Sequence, residues 1–284
     1  MSKGPNSYNT LRHILVCVDA SPRSRSLVML ALSLARRHAS RITGLYVFHL
    51  PSPDLFYCEP PAHASARAID EMTAQVRSTC MNEGTRLRQE FRAAAERAGV
   101  EADWCIVNGL SADALRCHVS QVDLTICRQR DLAHTPFEYL TDIAVEMLQA
   151  LNRPVLVLPR MGGYSNASRR VLLDCRRADQ ALRALRQAIP LLDRSADVVL
   201  LRTADGKDPT REITLHLARH GINASAVQSR GNNVGMSLLS FAREFGADLV
   251  VSPDNGCSRI RELIFGSTKR TLLDRMQIPV LLAT

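Results

Sequence analysis

The apolar run LRHILVCVD, residues 11–19, ends in an aspartate, and a matching apolar run, RRVLLDC, occupies residues 169–175. Two further short segments recur in the same order: Val-Asp-Leu (122–124) as Ala-Asp-Leu (247–249), and Pro-Val-Leu-Val (154–157) as Pro-Val-Leu-Leu (279–282). The sequence therefore contains an internal duplication, and a fold deduced for one half applies to the other.

Strands alternate with helices along both halves. The runs at 11–19 and 41–48 are typical of strands, and between them apolar residues recur at helical spacing from Ser24 to Arg37. This alternation predicts a parallel sheet covered on both faces, and right-handed crossovers make it doubly wound. We predict two α/β domains of five strands each, at residues 1–160 and 169–284, separated by the turn-rich linker MGGYSNAS.

Length and composition agree with two globular domains. The chain has 284 residues, about twice the ~150 residues of one domain. It is 46% hydrophobic and 23% charged, which excludes a disordered or collagen-like polypeptide. Its longest apolar run is shorter than the ~18 residues that a membrane span needs. The amino-terminal residues form no apolar signal segment, so we expect a cytoplasmic protein without a membrane span.

Charge, aromatic content and cysteine spacing narrow the classes of partner. A net charge of +8 can attract anions, but no arginine-rich block is present and only 5% of residues are aromatic, which argues against nucleic acid. The eight cysteines form no CxxC pair, so we expect reduced thiols and no metal site.

His216 and His220 have a spacing that can bind zinc. They lack an accompanying glutamate pattern, and we predict that they face solvent.

Ligand-binding residues of such a sheet are expected beyond the carboxyl ends of its strands, where the winding reverses. After the fourth predicted strand of the second half come Pro253 and Gly256, then nine residues, then Gly266, Ser267 and Thr268. Glycine lets the backbone approach a phosphate closely, and a Gly-Ser-Thr at a helix start supplies N–H groups and hydroxyls. The alternative is that Gly256 is an ordinary turn residue and Gly266 a helix cap or kink.

These motifs resemble the universal stress protein (UspA-like) family in its tandem, two-domain form, over nearly the whole chain. The opening strand of that family ends in Val-Asp-Gly-Ser, which residues 18–21 match. Its closing segment, a Gly-x-x-Gly followed after nine residues by Gly-Ser/Thr, a helix and Pro-Val-Leu, is followed from Pro253 to Leu282. The resemblance implies a Rossmann-like strand order 3-2-1-4-5 in each half. It also implies that the fifth strands, Pro154–Leu158 and Pro279–Ala283, pair as an intramolecular pseudo-dimer.

The resemblance further implies that ATP, where it is bound, has its adenine near the first-strand aspartate and its phosphates on the two glycine elements. In the first half this assigns Asp19 and Ser21 to a candidate nucleotide site. Neither the Gly-x-x-Gly nor the nine-spaced Gly-Ser follows there. Arg128 stands at the position of the first glycine, and we expect its side chain to fill the space that a phosphate loop leaves open.

The second half retains most of the phosphate side of the family motif. Pro253 replaces the first glycine, and proline removes an N–H and fixes φ near −65°. The alignment that we favour puts Arg176 at the adenine-facing position and leaves Asp174 inside the strand, where an unpaired carboxylate is costly. A shifted register would instead make Asp174 the functional carboxylate and shorten the strand by two residues. The candidate nucleotide-binding residues are Asp19, Ser21, Arg176, Pro253, Gly256, Gly266, Ser267 and Thr268.

Three functions remain open from the sequence. The first is a stress-response protein that acts as a regulatory binding module, with weak or lost ATP binding, unidentified protein partners and possible self-association. The second is an ATP-binding switch, weakly hydrolysing at most, that uses the second half. The third is a binder of a non-nucleotide ligand such as a lipid or a metal ion. No residue pattern predicts a catalytic group, so we do not expect an enzyme.

Overall fold

The computed structural model describes the strands of each half, their helices and some of the connections between them. The described residues are 10–50, 66–109, 115, 121–129, 143–161, 167–175, 178–202, 210–228, 234–253 and 267–284. The elements of the first half are β1 His13–Cys17, α1 Ser24–His38, β2 Arg41–Phe48, α2 Ala66–Ala98, β3 Ala102–Asn108, β4 Leu124–Arg128, α3 Ile143–Leu151 and β5 Val155–Leu158. The elements of the second half are β6 Ser168–Asp174, α4 Ala178–Ala188, a 3₁₀ turn Ile189–Leu191, β7 Leu192–Arg202, α5 Thr210–Ala218, β8 Asn223–Gln228, α6 Val234–Phe245, β9 Leu249–Pro253, α7 Ser267–Arg275 and β10 Val280–Ala283.

The ten strands of the described residues belong to one sheet, in the order β3-β2-β1-β4-β5-β10-β9-β6-β7-β8. Each half has the predicted order 3-2-1-4-5 with parallel neighbours, and this confirms the doubly wound fold. The two fifth strands pair antiparallel, with Leu156 opposite Leu281. The two predicted sheets are thereby joined edge to edge into one, because each fifth strand supplies the backbone partners that the other lacks.

The sheet separates two apolar cores, and each core runs through both halves. Alternate residues of a strand point to opposite faces, so Ile14 and Leu156 contribute to one core while Leu15 and Val157 contribute to the other. Helices α1, α2, α4 and α5 cover the first face, whereas α3, α6 and α7 cover the second. The central strands β1, β5 and β10 are buried along their whole length. This burial explains why they read as continuous apolar runs.

One strand is longer than the sequence predicts. The apolar run from Asp197 to Leu201 predicts a strand there, but β7 begins at Leu192. The pairing of β6 with β7 is irregular between Ser168, which pairs with Leu192, and Arg170, which pairs with Asp197, so that the extra residues lie in β7. Residues 192–196 therefore extend β7 on the amino-terminal side of the apolar run, Asp197–Leu201, that identifies the strand in the sequence.

The duplication is visible in two equivalent aspartates. The carboxylate of Asp123 accepts hydrogen bonds from the backbone N–H groups of residues 12 and 13, at 2.7 and 3.0 Å. The carboxylate of Asp248 accepts the same pair of bonds from residues 169 and 170, at 2.8 and 3.1 Å. Each aspartate precedes the fourth strand of its half and satisfies backbone donors at the start of the first strand. The repeated Val-Asp-Leu and Ala-Asp-Leu segments therefore have a structural cause.

We predict that Asp123→Ala and Asp248→Ala each lower the free energy of unfolding, by about 1–2 kcal/mol, because each removes a charged acceptor from two backbone donors. Urea denaturation followed by circular dichroism measures the change. Asp103→Ala, on the exposed edge strand β3, is the matched control and should leave stability within about 0.5 kcal/mol of the unmodified chain. Equal stability of all three variants would contradict the proposed role of the aspartates.

Candidate functional site

Each half has a crevice at the carboxyl ends of its first and fourth strands. The winding reverses there, because β1 lies between β2 and β4, and β6 lies between β7 and β9. Since β5 and β10 run antiparallel, the strands of one half point opposite to those of the other. The two crevices therefore open at opposite edges of the sheet, and groups at the carboxyl ends of one half do not face those of the other.

An ion pair lies in the crevice of the first half. Arg128, the last residue of β4, places its Nη2 3.0 Å from Oδ2 of Asp19, which follows β1. The Arg128 side chain is only 14% exposed, whereas that of Asp19 is 46% exposed. The arginine side chain is thus folded between the ends of β1 and β4 rather than extended into solvent. This agrees with the expectation that it fills the space that a glycine would leave.

The other oxygen of Asp19 organises the start of α1. Its Oδ1 accepts a hydrogen bond from the backbone N–H of Ser21 at 2.9 Å, and the Asp19 N–H donates to Oγ of Ser24 at 3.2 Å. This is the local turn that aspartate commonly forms ahead of a helix. Both carboxylate oxygens of Asp19 therefore already accept hydrogen bonds from the chain itself.

Two polar atoms around Asp19 are buried without a hydrogen-bond partner. They are Oγ of Ser21 and Nε of Arg128. An unsatisfied buried donor costs about 1–3 kcal/mol, so each of these two atoms lowers the stability of the arrangement around Asp19. The Arg128 guanidinium is held by its bond to Asp19 alone among the hydrogen bonds described for it.

Cys17, directly below this crevice, is chemically inert. It is buried, and burial, with a smaller contribution from the charge of Asp19, raises the pKa of its thiol to about 12. A thiol with this pKa remains protonated at neutral pH, and only the thiolate is a good nucleophile. Cys17 therefore packs as a small apolar residue, as its place in the second core indicates.

The strand register relates the two crevices residue by residue. Val18 donates its N–H to Leu45 O and Cys175 donates its N–H to Leu201 O, both at 2.8 Å. Val18 and Cys175 therefore occupy equivalent positions. Asp174, one residue earlier, corresponds to Cys17 and is buried at the end of β6 with 4% exposure.

This register favours the alignment in which Arg176 is the counterpart of Asp19, because each directly follows one of the two equivalent residues in sequence. Arg176 itself lies outside the described residues. Asp174 is the counterpart of a core position, and it is not left without an electrostatic or polar partner. The shifted register, in which Asp174 would be the functional carboxylate, is not supported by the strand pairing.

The phosphate side of the second crevice is described only in part. Pro253 ends β9, is partly buried and pairs with Ala283. It holds the position in β9 that Arg128 holds in β4, four residues after the first leucine of each strand. The described part of helix α7 spans Ser267–Arg275 and therefore includes Ser267 and Thr268. Gly256 and Gly266 lie outside the described residues.

A residue that sequence reasoning missed connects the two halves. Gln129, directly after the ion-paired arginine, is buried with 6% exposure. Its Nε2 donates to the carbonyl oxygens of Leu273 and Asp274, at 2.6 and 3.0 Å, in the last turn of α7. Its Oε1 accepts a hydrogen bond from the N–H of Arg160 at 3.0 Å. One glutamine side chain thus joins the end of β4, the segment after β5 and the carboxyl end of α7. Nothing in the sequence marks it, since its partners lie up to 145 residues away.

The described residues contain no group of three or more His, Cys, Asp or Glu side chains that could hold a metal ion. Within the same residues, no helix is both long enough and apolar enough to cross a membrane.

A family model described as the universal stress protein family matches residues 10–159 and 204–284. Among solved structures, a universal stress protein from Archaeoglobus fulgidus DSM 4304 covers 98% of this chain and 97% of its own, with 16% identity and a TM-score of 0.67. A putative universal stress protein from Pseudomonas aeruginosa UCBPP-PA14 covers 98% and 95%, with 14% identity and a TM-score of 0.52. No curated protein sequence matches significantly. At these identities the structural likeness shows the shared fold.

We predict that Gln129→Ala lowers the free energy of unfolding by about 2–3 kcal/mol, because it leaves buried backbone groups in both halves without their partner. Thermal and urea denaturation measure the loss. Gln149→Ala, at an exposed position of α3, is the control and should have little effect. If Gln129→Ala is as stable as this control, the glutamine does not hold the two halves together.

Proposed function

The chain belongs to the universal stress protein family, and from this premise we propose that it is a cytoplasmic stress-response protein of the tandem UspA type. It acts as a regulatory binding module in which nucleotide binding is weak or lost. The observation that carries this proposal is the ion pair between Arg128 and Asp19, which occupies the place where the family motif leaves room for a ligand.

The groups of the first crevice do not fit ATP. The carboxylate that the family resemblance assigns to the adenine side is paired with a guanidinium and accepts a further bond from Ser21 N. On the phosphate side, the sequence after Arg128 contains neither of the glycine elements that would bring backbone N–H groups to a phosphate. A nucleotide would have to break the ion pair and would gain no phosphate cradle in return.

The second crevice fits ATP better but lacks two contacts. We expect the Gly-Ser-Thr of residues 266–268 to open helix α7 at this crevice, where free N–H groups and the helix dipole would favour an anion. Pro253 has no N–H to donate, and Arg176 replaces the adenine-side carboxylate in the alignment that the register favours. Each 1.4 kcal/mol of lost binding energy weakens affinity tenfold, so two missing contacts account for weak binding.

A second candidate function, favoured by the Gly-Ser-Thr of residues 266–268, is an ATP-dependent switch that uses the second half and hydrolyses ATP weakly at most. The candidate residues for it are Arg176, Pro253, Gly256, Gly266, Ser267 and Thr268.

Mass spectrometry of the purified protein under native conditions tests the third possibility, a retained lipid or metal ion in a remodelled crevice.

We predict that Pro253→Gly strengthens ATP·Mg binding about tenfold or more over the unmodified chain, because it restores an N–H and the freedom of the loop. Arg128→Gly should not create binding, because it frees Asp19 without supplying a phosphate loop. Isothermal titration calorimetry measures both affinities.

Gly266→Arg is the control that should abolish any signal from the second half. Micromolar ATP affinity of the unmodified chain, abolished by Gly266→Arg, would overturn the proposal and establish the ATP switch. Affinity that appears only after Arg128→Gly would show that the first crevice, rather than the second, retained the nucleotide site.

A further inference from the structure

His216 and His220 lie together at the carboxyl end of α5, on the outer side of the second half. The chain keeps its helical course beyond Ala218, since the N–H of Arg219 donates to Leu215 O at 3.3 Å and that of His220 to Leu217 O at 2.9 Å. The two imidazole rings therefore stand one turn apart on the same side. Their centroids are 5.1 Å apart and their planes are inclined at 54°. Both side chains are partly buried, so they face solvent only in part.

One imidazole nitrogen of His216 lacks a hydrogen-bond partner. Its Nε2 is buried and has no hydrogen-bond partner. A buried imidazole nitrogen without a partner is costly, and a bound cation would supply the missing partner.

The ring separation suits a shared metal ion. Zinc and similar ions bind imidazole nitrogen at about 2.0–2.1 Å, which places each ring centroid about 3.2 Å from the ion. Two such ligands at a tetrahedral angle have centroids about 5 Å apart. The observed 5.1 Å agrees with this value.

We propose that His216 and His220 form a two-histidine site for a divalent transition-metal ion that prefers imidazole, such as Zn²⁺, Ni²⁺ or Cu²⁺. Imidazole suits these ions, whereas Mg²⁺ and Ca²⁺ prefer oxygen ligands. Because the described residues offer no third His, Cys, Asp or Glu at the site, water completes the coordination. Arg186 and Arg219 oppose a cation electrostatically and Glu212 favours it, which makes the site one of moderate affinity.

A metal ion bound by both histidines would cross-link the last turn of α5 with the turn that leads into β8. That turn continues through Gly221, which has a φ of +73°. An ion that binds only when the two rings are one helical turn apart stabilises the folded helix end relative to the frayed one. The expected consequence is slower hydrogen exchange of the amides in the last turn of α5 when the metal ion is present.

The test is titration of the reduced full-length protein with NiCl₂, followed by isothermal titration calorimetry. Because both ligands are needed for one ion, His216→Gln, His220→Gln and the double variant should each weaken Ni²⁺ binding by the same factor, tenfold or more. His49→Gln, at an exposed position of the first half, is the matched control and should leave the affinity unchanged.

A positional control separates a chelating pair from two independent histidines. The variant Ala218→His/His220→Gln keeps the number of histidines but places the second one two residues from His216, on another side of the helix. It should bind as weakly as His220→Gln and show no metal-dependent protection of α5 from hydrogen exchange. Losses that add between the single variants, undiminished binding in His220→Gln, or binding restored by Ala218→His would each overturn the proposal. Absence of Ni²⁺ binding to the unmodified chain would overturn it as well.

Discussion

The antiparallel pairing of β5 with β10 is the interaction on which the rest of the structure depends. Both strands consist of Val, Leu and Ala and are buried throughout. Left unpaired, either would expose backbone donors and acceptors beside an apolar surface. Their hydrogen bonds turn two five-stranded sheets into one, and because paired residues share a face, the apolar cores of the halves become continuous.

The same pairing separates the two ligand crevices. An antiparallel junction sends the carboxyl ends of the halves to opposite edges of the sheet, so a group lost from one crevice cannot be replaced from the other. Each crevice consequently keeps its own set of residues. In the first, Arg128 pairs with Asp19. In the second, Gly266 and Ser267 of the motif remain in the sequence, whereas Pro253 replaces a residue that could donate an N–H. Contact between the halves is made elsewhere, through Gln129, and through Arg37 and His38, which bind carbonyl oxygens of Leu192 and Pro190.

The sequence predicts the fold well because its signals are local and repeated. Continuous apolar strands, helices between them and two copies of the pattern predict two doubly wound parallel sheets, whereas the strand order and the fifth-strand junction are what the family resemblance implies. The parallel strands, their order and the junction are confirmed. The place of Arg128 in the crevice could also be predicted, because it depends only on alignment with a glycine. Its partner could not, since the choice of Asp19 depends on how two loops approach one another. The contacts of Gln129 could not be predicted for the same reason. The partial burial of His216 and His220 could not be predicted either, because helical spacing does not tell which side of a helix is covered.

The junction also limits how the protein can associate. The family resemblance implies that the fifth strand is the usual dimer seam, and in this chain that seam is occupied from within by β10. A second copy therefore has no free fifth-strand edge to pair with. The outer strands of the sheet are β3 and β8. β8 is largely exposed and β3 is mostly half-buried, and both carry polar residues at exposed positions. Pairing through such polar, exposed edges is weaker than pairing of buried apolar strands. A single chain thus already contains the fifth-strand pairing that would otherwise join two chains. Further association would therefore use surfaces other than the edges of β5 and β10.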